Sequence, residues 1–176
     1  MERINISSNT PWENLVGYSR AVKIGNYIHI SGTTAINEQR KIVGLENPYI
    51  QTKQIIKNIE TALNLAGAGL DDVVRTRIYV TNIDRWQLIG KAHHEFFADI
   101  RPATSMVEVR RLIAPEILVE MEADAVITEA SMPTGFRLTN AVCTGLPTSS
   151  VTPNYVNGTV TLNKSGIVSG ADIICT

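Results

Sequence analysis

The chain has 176 residues, of which 44% are hydrophobic and 19% charged, enough for one domain, or a domain with an appendage, around a sizeable core. Sixteen Lys+Arg against seventeen Asp+Glu leave a net charge of -1, without the basic excess expected of a nucleic-acid binder. No run approaches ~18 uninterrupted apolar residues, which excludes a transmembrane helix, and the opening Met1–Asn5 lacks an apolar signal-peptide core, which points to the cytoplasm.

Arg20 to Gly32 alternates around Gly25-Asn26, a turn dipeptide flanked by Val22, Ile24, Ile28 and Ile30, and reads as a β-hairpin. Asn47-Pro48 supplies a helix cap and a Pro at the first helical position. Ile55, Ile56, Ile59, Leu63 and Ala66 follow at helical spacing, and Gly67 with Gly69 stops the pattern. Val73 to Val80 is a strand by β-branched content. A second amphipathic helix begins near Asp84, with Trp86, Ile89, His93, Phe96, Phe97 and Ile100 on one side. Beyond Arg101-Pro102, Thr104–Leu112 and Leu118–Ile127 read as two more strands.

Past residue 130 the composition changes. From Ser131 to Thr176 only Arg137, Lys164 and Asp172 are charged, and Thr, Ser, Asn, Gly and Val dominate. Short apolar runs, Val160-Thr161-Leu162 and Ile167-Val168, give a weak strand signal. Residues 1–130 are therefore taken as the functional domain and 131–176 as a charge-poor C-terminal extension of open structure and role. Cys143 and Cys175 are the only cysteines and could form one bridge, although a reducing compartment favours free thiols. Neither has a Cys or His at metal spacing, so no metal site is expected.

The order strand-strand-helix-strand-helix-strand-strand implies one α+β domain: a sheet of five or six strands with both helices on a single face. Alternation then assigns the other face. With Val74, Thr76, Ile78 and Val80 toward the helices, Arg75, Arg77 and Tyr79 point away. With Val107 and Val109 inward, Thr104, Met106 and Glu108 join that second face. Glu120, Glu122 and Asp124 lie there too, as do Tyr27, His29 and Ser31. The mixture of charges with Tyr18, Tyr27, Tyr79 and Met106 suggests the lining of a cavity or a subunit interface; the alternative is a solvated sheet face with cross-strand ion pairs.

Several residue runs resemble the reactive-intermediate deaminase (Rid, or YjgF-like) family. They are Tyr18-Ser19-Arg20-Ala21-Val22 with Gly25-Asn26 and Ser31-Gly32, then Ala66 to Val74 leading into Ile78-Tyr79-Val80-Thr81. Arg101 to Val109 and Val119 to Ala123 close the match, which spans about residues 15–128 in order. The resemblance implies a chorismate-mutase-like fold, a homotrimer built around a central barrel, and small-molecule sites in the clefts between subunits. It also implies hydrolysis of reactive enamines or imines to a 2-keto acid and ammonia, without metal or organic cofactor; the charge balance and the lack of a long apolar run argue separately against nucleic-acid and membrane partners.

Carried over residue by residue, the resemblance makes Glu120 the group that positions or activates water, with Ser31, Gly32 and Tyr18 shaping the pocket. The family's substrate-anchoring Arg is absent, because Pro-Ala-Arg there is Pro102-Ala103-Thr104 here. Gly90 stands where a pocket Asn is usual, and Met106 where Cys is common. Either Arg77 or Arg75 supplies the missing charge, or the pocket takes a different ligand. The ligand-binding candidates are thus Tyr18, Ser31, Gly32, Arg77, Thr104, Ser105 and Met106. A non-catalytic binding or scaffold trimer is the rival reading, and ribonuclease or translation-inhibitor activity a weaker one, disfavoured by the lack of a basic stripe. His93-His94 does not read as a metal pair: neighbours on a helix diverge by ~100°, and His93 falls on the apolar stripe as a packed or interface residue.

Overall fold

The computed structural model describes residues 2–128 and the strands 152–156 and 159–163. The chain divides into two compact units, Met1–Thr128 and Glu129–Thr176. In the second unit, β7 (Thr152–Val156) pairs antiparallel with β8 (Thr159–Asn163), so the Val160–Leu162 run is a strand. Ile167-Val168 and both cysteines lie outside the described residues.

The first unit is built on a six-stranded mixed sheet in the order β1-β2-β3-β6-β4-β5. Its strands are β1 (Arg3–Ile6), β2 (Ala21–Ile24), β3 (Tyr27–Thr33), β4 (Val73–Val80), β5 (Ala103–Glu108) and β6 (Val119–Val126). The helices are α1 (Pro11–Val16), α2 (Pro48–Leu65) and α3 (Trp86–Phe97). The hairpin turn joins Ile24 to Tyr27 with positive φ at Gly25 alone, the arrangement of a II′ turn that needs Gly first. Asn47 caps α2 by accepting from the Ile50 amide at 3.2 Å, and Pro48 follows it.

α2 lays Ile55, Ile56, Ile59 and Leu63, all 0% exposed, against Ile28, Ile30, Ile78 and Met121 of the sheet. α3 adds Ile89, Ala92 and Phe97 on the same side. Trp86, expected on that apolar stripe, is instead 53% exposed at the helix's first position. Gln51, fully buried on α2, donates to the carbonyls of Gly44 and Glu116 and accepts from the Leu118 amide, which fixes the chain's entry into β6. Burying this amide without such partners would be costly.

Three expectations about the strands change. β1 and α1 were not anticipated, being only four and six residues long. In β4, Val73 rather than Val74 faces the core. A bulge falls between Val73 and Arg75, which pair with Ala125 and Asp124, and it turns Val74 out to solvent. β5 ends at Glu108, and its faces are the reverse of those expected. It runs parallel to β4 with Thr104 beside Thr76 and Met106 beside Ile78, so Thr104 and Met106 lie on the helix face while Val107 is 47% exposed. A parallel edge strand takes its register from its neighbour, and β-branched content alone does not reveal which face is buried.

The bulge gives a direct test. Ile78→Ala removes a core side chain and is expected to cost about 2–5 kcal/mol of unfolding free energy. Val74→Ala, at the exposed bulge, is expected to change stability by only about 0.5 kcal/mol. Urea unfolding of the two variants checks this; equal losses would contradict the register.

Candidate functional site

The residues expected to carry chemistry fall into two clusters, separated across the sheet. The first surrounds the end of β3. Between Ile30, paired with Ala123, and Thr33, paired with Met121, β3 contains two residues where β6 has one. Ser31 and Gly32 form that bulge, opposite Glu122. The extra residue swings Gly32 against the side chain of Glu120, the next outward residue of β6. A Cβ built on Gly32 would lie 2.0 Å from Oε1 of Glu120, so any side chain there would push the flexible end of Glu120 off its present seat.

Glu120 is half-buried here, and burial pushes its pKa above the ordinary 4.5. The neighbouring Glu122 adds to the rise, and the positive charge of Arg20 opposes it. The Ser31 hydroxyl donates to the Ser19 carbonyl at 2.7 Å and joins the bulge to the segment that carries Tyr18 and Arg20. Arg20 donates through Nη1 to the Gly32 carbonyl at 3.1 Å and to Thr33 Oγ1 at 2.8 Å, with its guanidinium 5.7 Å from the Tyr18 ring centre. Tyr18, Ser31, Gly32 and Glu120 are therefore brought together, and Arg20 joins them.

Arg20 belongs to the Tyr18-Ser19-Arg20 run, but nothing in its spacing marks it as a site residue. The missing signal is the β3 bulge, which aims the Gly32 carbonyl at it. Arg77, the earlier candidate for a substitute cation, lies on the same outward face but opposite Glu122. It pairs with Asp124 at 3.1 Å and Glu122 at 3.6 Å. Tyr79, which pairs with Glu120 across the strands, donates to Glu122 at 3.4 Å. His29 meets Asp124 at 2.8 Å and is exposed. Arg77 is thus already neutralised. Arg75 is exposed on the bulge side of β4, beside Asp124 in register.

The second cluster lies between α3 and β5. Thr76, 0% exposed, shares hydrogen bonds with His93 Nε2 at 3.1 Å and Thr104 Oγ1 at 2.9 Å. His93 lies tilted on Phe97 with ring centres 4.5 Å apart. Burial and the neighbouring His94 hold its pKa below 6.5, so the imidazole is neutral near pH 7. Beside it an open hollow of about 410 Å³ is lined by Gly90, His93, Phe97, Arg101 and Pro102. Met106 packs partly against the core, and Ser105 stands next to Arg77 on the other face. Thr104, Ser105 and Met106 therefore do not meet Glu120 within one chain, being two strands away across β4. Among the described residues no group of His, Cys, Asp and Glu side chains is arranged to hold a metal, and no helix is long and apolar enough to cross a membrane.

Comparison with known proteins places this geometry in context. The family model described as Endoribonuclease L-PSP matches residues 9–127. A second, described as a prealbumin-like fold domain, matches 102–176 and so overlaps β5 and β6 of the first unit. A RutC family protein of Pyrococcus abyssi is 36% identical over 108 residues, which is 61% of this chain and 84% of that protein. The Acinetobacter baylyi protein named 3-aminoacrylate deaminase RutC is 29% identical over 111 residues, 63% of this chain and 87% of that one. A solved structure from Mycobacterium tuberculosis, described as a member of the YjgF/YER057c/UK114 family, is 49% identical with a TM-score of 0.65. That match covers 72% of this chain and all of that one.

The contact between Gly32 and Glu120 makes a prediction. Gly32→Ala is expected to push the carboxylate off its half-buried seat. Because burial there is the largest cause of the raised pKa, the titration of Glu120 should move back toward 4.5. A carboxyl-carbon NMR titration of the variant against the parent reads this, and an unmoved midpoint would contradict the packing.

Proposed function

The chain belongs to the Endoribonuclease L-PSP family, the YjgF or Rid group of proteins, and from that premise we propose that it hydrolyses a small enamine or imine to a carbonyl compound and ammonia. The observation that carries the reading is Glu120: a half-buried carboxylate of raised pKa, seated on a glycine bulge beside Tyr18 and Arg20. An enamine and its imine tautomer interconvert by moving one proton between carbon and nitrogen. Water adds to the imine carbon, forming a C–O bond and moving the C=N electron pair to nitrogen. Glu120 accepts a proton from the attacking water and delivers it to nitrogen. The carbinolamine then collapses: its hydroxyl proton passes to nitrogen by way of Glu120, the C–N bond breaks, and ammonia leaves as the C=O bond forms. A carboxylate of raised pKa suits both halves of that shuttle, since it gives up its proton less readily to water than an ordinary one.

In this reading Tyr18, Ser31 and Gly32 shape the pocket, and backbone groups at the bulge hold the ligand. The name of the Acinetobacter baylyi relative, a 3-aminoacrylate deaminase, supports an enamine as the substrate class. We further place the complete site between copies in a homotrimer, with Thr104, Ser105 and Met106 of one subunit facing Glu120 of the next. Support comes from the separation of the two clusters in one chain and from an outward sheet face that mixes half-buried charges with exposed Tyr27 and Val107. The endoribonuclease description attached to the family finds less support, because the net charge is -1 and Arg77 is already paired with carboxylates. A scaffold trimer remains the second reading, favoured by one observation: Thr104, in place of the family's Arg, is bonded to Thr76 on the helix face.

Two experiments follow. Ammonia release from freshly generated 2-iminopropionate is expected to fall about 10²–10⁴-fold in Glu120→Gln. In the parent, kcat/KM should decline with falling pH along a limb whose midpoint lies above 4.5, since the carboxylate acts deprotonated and its pKa is raised. Equal rates in parent and variant would favour the scaffold. Sedimentation equilibrium is expected to give three times the 19.3 kDa chain mass, and a monomer would overturn the shared site.

A further inference from the structure

His93, Thr76 and Thr104 form a hydrogen-bond chain whose direction is fixed at one end. Thr104 Oγ1 lies 3.1 Å from the Pro102 carbonyl, which can only accept, so the Thr104 hydroxyl donates there. Its single proton is then spent, and the 2.9 Å contact with Thr76 must carry the proton of Thr76. The Thr76 hydroxyl is spent in turn, so the 3.1 Å contact with His93 carries a proton on Nε2. Only this arrangement fills all of the contacts. Thr76 is fully buried, where an unfilled hydroxyl contact is costly.

A neutral imidazole has one N–H, so a proton on Nε2 leaves Nδ1 as a bare acceptor. Burial and the neighbouring His94 hold the His93 pKa below 6.5, which keeps the ring neutral near pH 7. Among the described residues Nδ1 has no hydrogen-bond partner, yet it is not sealed: the buried side-chain atoms without a partner are Thr10 Oγ1 and Arg20 Nε. The open space beside the ring is the hollow of about 410 Å³ that His93 borders.

The other walls of the hollow select what can approach. Gly90 contributes no side chain, and a Cβ there would meet only Trp86, at 3.8 Å, so packing does not demand the glycine. Phe97, Ala98 and Pro102 are apolar, and the Phe97 ring extends the aromatic surface of His93, with centres 4.5 Å apart. Arg101 adds positive charge at the edge, its Nε donating to the Ala98 carbonyl at 3.1 Å. That charge repels a cationic donor. It favours a neutral O–H on an aromatic ring, whose oxygen gains negative character as the proton is shared with Nδ1.

We propose that this hollow is a binding site for a small phenol, whose hydroxyl donates to His93 Nδ1 and whose ring lies against Phe97 and Pro102. Thr76 is a positioning residue: it holds the imidazole in the tautomer that leaves Nδ1 free. The site uses none of Tyr18, Ser31, Gly32 and Glu120, so it stands or falls independently of the hydrolase reading.

The test is an NMR titration of the full chain that reads the His93 ring nitrogens through long-range proton–nitrogen correlations. Without ligand, Nε2 is expected to be the protonated nitrogen. Added phenol should move the Nδ1 signal, and anisole, which has a methyl group in place of the hydroxyl proton, should not. Phenol should also bind about fivefold more tightly than anisole, the worth of one hydrogen bond. Thr76→Val keeps the shape of the side chain, removes the hydroxyl and frees the ring to take its other tautomer; the preference for phenol should disappear. Thr76→Ser returns the hydroxyl and should return the preference. A proton on Nδ1 in the unliganded parent, equal affinity for phenol and anisole, or an Nδ1 signal unmoved by phenol would overturn the proposal. So would a Thr76→Val variant that keeps the parent's preference.

Discussion

The constraint on which this domain depends is the strict alternation of β6. Val119, Met121, Ala123 and Ala125 are at most 1% exposed, while Glu120, Glu122 and Asp124 fill the positions between them. Because side chains alternate with a period of two, a slip of one residue would place three carboxylates in the core and four apolar groups outside. Burying even one unpaired carboxylate costs far more than a ladder hydrogen bond returns. The strand has only one acceptable register, and it pairs on both sides, with β3 and with β4. Everything placed by those pairings inherits that certainty, including Glu122 opposite Arg77 and Glu120 opposite Tyr79.

The two bulges show how a rigid central strand allows function at its edges. β6 stays regular while each partner carries one extra residue, at Ser31–Gly32 in β3 and at Val74 in β4. At Val74 the extra residue only turns a valine outward. At Gly32 it removes a side chain from the spot where the Glu120 carboxylate sits and points a carbonyl at Arg20. A bulge of this type re-aims groups locally without disturbing the core beneath, where Ile30 and Thr33 remain buried on either side.

How far the sequence foretold this depends on the kind of signal each element carries. β6 and the pattern of α2 were legible because period-2 and 3.6-residue spacing of Ile, Val and Glu admits few alternatives. The hairpin was legible through Gly25-Asn26. The face of β5 was not, since its register is set by the parallel pairing with β4 rather than by its own Val107 and Val109. Val74 was misplaced for a related reason: a bulge shifts the phase of alternation, and two adjacent valines do not indicate which one is extra. At the site, Tyr18, Ser31, Gly32 and Glu120 were named from family resemblance and do converge, whereas Thr104 and Met106 were assigned to the wrong face. Arg20 could not have been found by spacing alone, because its relation to Glu120 depends on a long-range pairing and on a backbone carbonyl.

Glu120 also shows a tension between folding and chemistry. Its raised pKa means that the folded state disfavours the charge relative to the unfolded chain. The sign follows: at neutral pH the carboxylate subtracts from stability, and the deficit shrinks as pH falls through the raised folded value toward 4.5. Glu13 is the opposite case. Burial would raise its pKa, but hydrogen bonds from the Ser7 hydroxyl and from the Ser8 hydroxyl and amide overcome this and lower it, so ionisation of that carboxylate supports the fold. A buried and a half-buried acid on one domain are thus handled in contrary ways. The one surrounded by donors braces the segment before β2; the other is left short of donors and keeps its proton affinity. A carboxylate satisfied like Glu13 has little proton affinity left, so under the proposed hydrolase reading the stability forgone at Glu120 keeps its carboxylate available for reaction.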